Sequence, residues 1–128
     1  MIKFIASILI AFMLHQCEEP VMSIKLSEED HGQQYEVSIG AEIFISLKAN
    51  PTTGYTWTIA TIDTTKVKQL GEIEFKPESK LLGAPGKQIL RFQSIATGTT
   101  HLILLYLRPW EKGTAAQDTF EIAFKIVK

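Results

Sequence analysis

Few residues of this sequence are of types that could carry out covalent or metal chemistry. Cys17 is the only cysteine, and the three histidines, His15, His31 and His101, stand far apart. No His, Cys or carboxylate cluster has the spacing of metal ligands, and no Gly-rich loop opens a helix. We therefore expect neither an enzyme nor a metal site nor a cofactor, and we interpret His31 and His101 as surface or strand-edge side chains.

The residues best suited to binding a partner lie in three loop-like segments. The first combines Pro51, which fixes its own φ, with two β-branched threonines and Gly54, which permits a positive φ. The second carries two glycines and a proline and offers accessible backbone. The third places Trp110 directly after Pro109, and Trp and Arg are enriched among interface hot spots. The candidate binding residues are Asn50, Pro51, Thr52, Thr53, Gly54, Tyr55, Leu82, Gly83, Ala84, Pro85, Gly86, Arg108, Pro109 and Trp110.

From Met22 onward the apolar residues repeat with period two, which predicts β-strands rather than amphipathic helices. The last strand shows the alternation most clearly, with Phe120, Ile122, Phe124 and Ile126 on one face. The segment from His101 to Leu107 is apolar on both faces, which predicts a central strand with cover on each side. Gly and Pro turn signals separate strands predicted near 22–27, 42–49, 55–61, 66–76, 87–95, 100–107 and 118–127, with a short extra strand near 35–38.

This number and spacing of strands, with a Trp on the third, predicts an all-β domain. The expected architecture is an immunoglobulin-like antiparallel β-sandwich of about seven to eight strands, without the disulfide of antibody domains. Because consecutive strands run in opposite directions, the loops after the second, fourth and sixth main strands emerge at one end. These loops are the three candidate segments, so we expect them to form one rim that resembles a paratope more than an enzyme pocket.

Each segment also has a purely structural interpretation. The first is equally well explained as a stiff interstrand turn, in which Asn50 bonds to nearby backbone amides. The second fits a flexible hairpin connection, and Trp110 could fold back onto the sandwich. Trp57 alternates with threonines on a core-facing row, so we predict that it is the buried Trp of the sandwich.

The beginning of the chain differs in composition from the rest. Lys3 precedes an apolar run from Phe4 to Leu14, which is typical of a secretory signal and shorter than the roughly 20 residues of a membrane-spanning helix. We predict a signal peptide over residues 1–17, a tether and first strand over 18–33, and the binding domain over 34–128. Cys17 stands where a bacterial lipoprotein is acylated, but Gln16 occupies the usual small position, so lipidation and simple cleavage both remain open.

The charge of the chain limits the kinds of partner that we expect it to bind. The formal net charge is −1 without a Lys or Arg block, which argues against nucleic acid and against an anionic membrane surface. We expect an exported protein, secreted or periplasmic, that contacts a membrane only through a lipid at Cys17.

The three loops resemble those of the chagasin family of cysteine-peptidase inhibitors. That family is known for an Asn-Pro-Thr-Thr-Gly-aromatic loop, a Gly-rich loop and an Arg-Pro-aromatic loop, which here correspond to Asn50–Tyr55, Gly83–Gly86 and Arg108–Trp110. The likeness covers roughly Gln34 to Lys128, and Pro85 departs from it where glycine is common. It implies a monomer that binds a papain-family peptidase reversibly and tightly in a 1:1 complex, with Thr52 and Thr53 at the reactive centre and the other two loops on the cleft walls.

Two other functions are compatible with the same sequence. An exported immunoglobulin-like carbohydrate-binding or adhesion module would use Trp110 and Tyr55 to stack on sugar rings. A structural domain of the cell envelope would make contacts through its edge strands and would tolerate loop mutations.

Overall fold

The computed structural model describes residues 22–128, so the expected signal peptide and Cys17 lie outside the described residues. The described part is all β, apart from two short 3-10 turns at Glu28–Asp30 and Pro51–Thr53. The strands are β1 (Ser23–Leu26), β2 (Gln34–Ser38), β3 (Glu42–Ala49), β4 (Thr56–Thr61), β5 (Val67–Gln69), β6 (Glu74–Pro77), β7 (Gly86–Ser94), β8 (Gly98–Leu107) and β9 (Asp118–Val127).

The strands form two sheets around one core. Sheet 1 has the order β1-β3-β7-β5, with β6 also paired to β7, and sheet 2 has the order β2-β9-β8-β4. β1 runs parallel to β3 and β2 runs parallel to β9, whereas the other pairings are antiparallel. The predicted immunoglobulin-like β-sandwich is confirmed, with nine strands in place of seven to eight.

Alternation along the strands builds the core, as the sequence predicts. β3 and β7 turn Ile43, Ile45, Leu47, Leu90 and Phe92 inward, all fully buried. β9 contributes Phe120, Ile122, Phe124 and Ile126 from the facing sheet. Trp57 is buried as predicted, and its indole Nε1 donates a 3.0 Å hydrogen bond to the carbonyl oxygen of Lys48, which satisfies the polar end of the ring.

The strand predicted over 66–76 is interrupted. β5 and β6 both pair with β7, but Gly71 lies between them with a φ of +68° that breaks the extended conformation. The pairing does not stop at once, since the backbone N–H of Leu70 still donates to Arg91. The extra strand in the count comes from this break.

β8 lies between β4 and β9, as expected of a central strand. The prediction that both of its faces are covered is wrong. Leu102 and Leu104 are buried in the core, whereas Ile103 and Leu105 on the outer face are only half-buried. No third layer covers this face within the part of the chain that the structure describes, and the flanking side chains shield these residues only partly.

Strand directions define two poles of the sandwich. β3, β6 and β8 end at one pole, whose loops span 50–55, 78–85 and 108–117; we call this pole the rim. β1 runs parallel to β3, so the chain enters β1 at the opposite pole, where the turns at 39–41, 62–66 and 95–97 lie. Within residues 22–128, no helix is long and apolar enough to cross a membrane.

Candidate functional site

The structure brings the three predicted segments together at the rim. The first and third loops are joined by Arg108, whose Nε donates a 3.0 Å hydrogen bond to the carbonyl oxygen of Thr53. The first and second loops approach at Asn50, whose Nδ2 lies 3.5 Å from the carbonyl oxygen of Gly83. The first loop therefore occupies the middle position and touches both of its neighbours.

Asn50 organises the first loop. Its side-chain Oδ1 accepts hydrogen bonds from the backbone N–H of Thr52 at 3.2 Å and from the Thr52 hydroxyl at 2.5 Å, so it caps the short 3-10 turn that follows. The Thr53 hydroxyl donates to the backbone oxygen of Asn50 at 2.6 Å. Gly54 then leaves the turn with a φ of +84°, as its position in the sequence predicts. The two exposed threonines are thus held in one conformation by bonds within the loop.

The loop is also fixed to the sandwich below it. The Tyr106 hydroxyl accepts a 2.9 Å hydrogen bond from the backbone N–H of Asn50, and the ring of Tyr106 contacts Tyr55 and Trp57 with centroid distances of 5.4 and 5.1 Å. Sequence reasoning did not identify this anchor. Tyr106 lies in an apolar strand, and its contact with Asn50 spans 56 residues of sequence.

A buried polar bridge ties the two sheets together beneath the rim. Gln88 of β7 accepts a 2.9 Å hydrogen bond from the backbone N–H of Trp57 through Oε1 and donates a 2.8 Å bond to the Thr56 hydroxyl through Nε2. Both amide ends of this side chain are therefore satisfied. The bridge fixes the start of β4, where the first loop returns to the sheet.

Arg108 acts mainly within the protein. Besides its bond to Thr53, its guanidinium lies 4.5 Å from the centroid of the Tyr55 ring and forms a 3.0 Å ion pair with Glu111. These contacts show that Arg108 supports the first and third loops. Tyr55 is covered by Arg108 and stacked on Tyr106, which leaves it poorly placed to stack on a sugar ring.

Trp110 is 67% exposed, the largest aromatic surface at the rim. It does not fold back into the core; its ring edge lies over Gly54, where an added Cβ would come within 2.3 Å of Cη2 of the indole. Gly54 therefore has two structural roles: it adopts the left-handed conformation and it leaves room for Trp110. The sequence indicates only the first of these roles.

The second loop differs from expectation at Gly86. This residue is the first residue of β7 and is buried, and an added Cβ there would meet the backbone oxygen of Lys76 at 2.2 Å. Gly86 thus serves close strand packing and does not present backbone to a partner. The accessible part of the loop is instead its apolar tip, since Leu81 and Leu82 are 78% and 103% exposed. Leu81 was missed, although a Leu pair beside a turn glycine is a detectable signal.

The histidines of the described residues lie away from the rim. Residues 22–128 contain no group of three or more His, Cys, Asp or Glu side chains arranged to hold a metal ion. His31 and His101 lie near Glu121 on β9, away from the three loops: the Nδ1 of His31 accepts a 3.0 Å bond from the backbone N–H of Glu121, and the Nδ1 of His101 lies 4.0 Å from its carboxylate. The arrangement at the rim suits binding through preformed loops.

Comparisons with known proteins agree with this geometry. Residues 36–124 match the profile of the chagasin family of peptidase inhibitors, I42. Chagasin of Trypanosoma cruzi is 32% identical over 108 residues, which cover 81% of this chain and 98% of chagasin. Amoebiasin-2 of Entamoeba histolytica is 37% identical over 92 residues, covering 70% of this chain and 73% of that protein.

A solved structure shows the same likeness. The crystal structure of the cysteine protease inhibitor EhICP2 from Entamoeba histolytica is 30% identical to this chain and superposes with a TM-score of 0.73. The match covers 81% of this chain and 95% of that one. The chain belongs to the chagasin family of peptidase inhibitors and is an inhibitor, not an enzyme.

Proposed function

We propose that this protein is a reversible, tight-binding inhibitor of papain-type, cathepsin L-like cysteine peptidases, and that its three rim loops occlude the active-site cleft. The relative with 30% identity and a TM-score of 0.73 is a cysteine protease inhibitor. The observation that carries the proposal is the Arg108–Thr53 hydrogen bond, which joins the first and third loops into one surface around an exposed Thr52–Thr53 tip.

The chemistry of the target explains why a stiff tip inhibits. A papain-type enzyme keeps a thiolate beside an imidazolium in an open groove and needs a scissile carbonyl at attack distance. In this loop the carbonyl of Thr53 is bonded to Arg108, and the carbonyl of Asn50 is bonded to the hydroxyl and N–H of Thr53. A peptide held in this way fills the groove without reaching a productive pose, and little conformational entropy is lost on binding because the loop is already ordered.

The flanking loops supply apolar contact area on either side of the tip. Trp110 from the third loop and Leu82 from the second are the most exposed large hydrophobic side chains of their loops. Burial of a Trp of this kind at the centre of an interface typically contributes about 2 to 4 kcal/mol. We assign these two residues to opposite walls of the cleft, in a 1:1 complex with a monomeric inhibitor.

We also propose that the protein is exported, from the apolar run Phe4–Leu14 and its flanks. Attachment at the N-terminus would affect the direction in which the three loops point. Because β1 starts at the pole opposite the rim, a leader or a lipid at Cys17 would leave all three loops pointing away from its point of attachment. Fractionation of the producing cells followed by mass spectrometry of the N-terminus tests this, and recovery of the chain only in the cytoplasm with Met1 intact would contradict it.

Titration of papain and of a cathepsin L-like peptidase with the purified chain tests the inhibitory function. We expect stoichiometric, reversible loss of activity without cleavage of the inhibitor. Thr52→Trp should abolish inhibition, whereas Thr97→Trp, which alters another exposed threonine in a turn at the opposite pole, should leave it intact. Full peptidase activity in the presence of excess wild-type protein would refute the proposal.

A further inference from the structure

The fold collects basic residues that the sequence keeps apart. Strand alternation and register place six of them on the outer face of sheet 1: Lys25, Lys48, Lys68, Lys76, Lys87 and Arg91. Within the described strands, Glu42 and Glu74 are the only acidic residues on that face. The chain as a whole carries a formal charge of −1, so this face differs in sign from the rest of the molecule.

Three of these residues form one cross-strand row, which we call the lysine row. Lys87 of β7 lies directly opposite Lys48 of β3 on one side and Lys76 of β6 on the other. Like charges directly opposite on a sheet destabilise it. All three side chains are exposed, and no salt bridge to any of them occurs within residues 22–128. No ion pair among the described residues therefore offsets the repulsion between these lysines.

The position of the lysine row connects it to the rim. The next residues along the strands are Ala49, Gly86 and Pro77, which pair with one another and lead directly into the first and second loops. Two acids lie nearby: the Glu28 carboxylate accepts a hydrogen bond from the backbone N–H of Lys48, and Glu78 follows β6. Lys80 in the second loop adds a further exposed positive charge.

Positive charge is densest near the rim, because the lysine row contains no acid. The rows farther from the rim include Glu74 and Glu42. A partner that contacted the whole face, such as a flat anionic surface, would not require the positive charge to be concentrated near the rim. A partner that docks on the three loops would meet the lysine row first.

We propose that the lysine row steers the inhibitor toward cysteine peptidases with an acidic surface beside the cleft. This inference rests on the proposed function and adds a preference among its targets. Charges near a binding site raise the association rate by long-range attraction and have a smaller effect on dissociation, and salt screens the effect. The row would favour encounter orientations in which the loops already face the cleft.

Association rates measured at about 0.01 M and about 1 M salt, where the Debye lengths are about 30 and 3 Å, test the inference. The probe is a papain-type peptidase with an excess of carboxylates on the surface flanking its cleft. The test variant is Lys48→Glu/Lys76→Glu/Lys87→Glu. The matched control is Lys25→Glu/Lys68→Glu/Lys125→Glu, which makes the same charge change at exposed sites far from the rim.

At low salt the test variant should associate about tenfold more slowly than the wild type, the lower end of known steering effects, and the difference should vanish at high salt. The control should stay within about twofold of the wild type. Equal slowing of both variants, or no slowing of the test variant while inhibition persists, would overturn this inference alone. A wild-type chain that inhibits at neither salt concentration would overturn the proposed function as well.

A single substitution separates steering from a structural role of the lysines. Lys87→Glu places an acid between Lys48 and Lys76 and relieves the repulsion, so we expect Tm to rise by about 2 to 5 °C while association slows. A fall in Tm would show that Lys87 stabilises the sheet and would overturn the claim that the row is maintained for binding.

Discussion

Substitution of Gly54 by alanine should uncouple Trp110 from the first loop. The added Cβ would lie 2.3 Å from Cη2 of the indole, whereas carbon atoms in van der Waals contact are about 3.5 to 4.0 Å apart. The indole must therefore move by more than about 1 Å. The φ of +84° adds a backbone cost of about 1 to 2 kcal/mol, because an L-residue other than glycine disfavours the left-handed region.

The effect on inhibition is bounded by the contribution of Trp110. If the indole loses its place against the peptidase, the cost is about 2 to 4 kcal/mol, which corresponds to a roughly 30- to 700-fold higher inhibition constant. Gly113→Ala is the matched control in the third loop, since Gly113 has a φ of +80° and no atom within 4 Å of an added Cβ. We expect this control to show the backbone cost in its Tm and little change in inhibition.

A double-mutant cycle shows whether the loss acts through Trp110. Inhibition constants are measured for Gly54→Ala, Trp110→Ala and the double variant against one peptidase. If Gly54→Ala acts by displacing the indole, it should add less than about 0.5 kcal/mol in the Trp110→Ala background. Full additivity, or inhibition by Gly54→Ala equal to that of the wild type, would refute the reasoning.

Three further predictions concern the supports of the rim and one turn at the opposite pole. Tyr106→Phe removes the acceptor of the Asn50 backbone N–H. It should lower the free energy of unfolding, measured in a urea titration, by about 1 to 3 kcal/mol. An unchanged free energy would show that water replaces the hydroxyl at no cost. Arg108→Lys keeps the charge but loses the Nε bond to Thr53 and the planar contact with Tyr55. Inhibition should weaken about tenfold while Tm stays nearly constant. Inhibition equal to that of the wild type would show that these contacts have no role in binding. Hydrogen bonds from the Thr65 side chain, then from Lys66 and the Thr65 backbone, lower the pKa of Asp63 to about 2. Because this folded-state pKa is depressed, the stabilisation is complete above about pH 4 and disappears as pH falls through about 2. The Tm difference between wild type and Asp63→Asn should therefore shrink over that pH range. A constant difference would contradict the assignment.

The strands and the core follow from local sequence pattern. Period-two alternation identifies the buried rows of β3, β7 and β9, and it places Trp57 in the core. The common location of the three loops also follows from sequence, because counting antiparallel strands fixes the pole at which each loop emerges. These inferences need only neighbouring residues and chain direction.

The contacts that build the rim do not follow from sequence, because they join residues far apart in the chain. Arg108 and Thr53 are 55 positions apart, and Asn50 and Tyr106 are 56 apart. Gly86 reads as a loop glycine until the pairing register places it between Ala49 and Pro77. The lysine row is invisible for the same reason, since β3, β6 and β7 each contribute one lysine to it.

Disulfide trapping tests the central claim most directly, namely that the Thr52–Thr53 tip reaches the catalytic cysteine of the peptidase. Thr52→Cys is mixed with papain under mild oxidation, beside Thr99→Cys, which is exposed near the opposite pole, and the wild-type chain, whose only cysteine is Cys17. We expect a 1:1 mixed disulfide with the catalytic cysteine for Thr52→Cys alone. Trapping of Thr99→Cys or of the wild-type chain to the same extent, or the absence of any adduct with Thr52→Cys, would contradict the account.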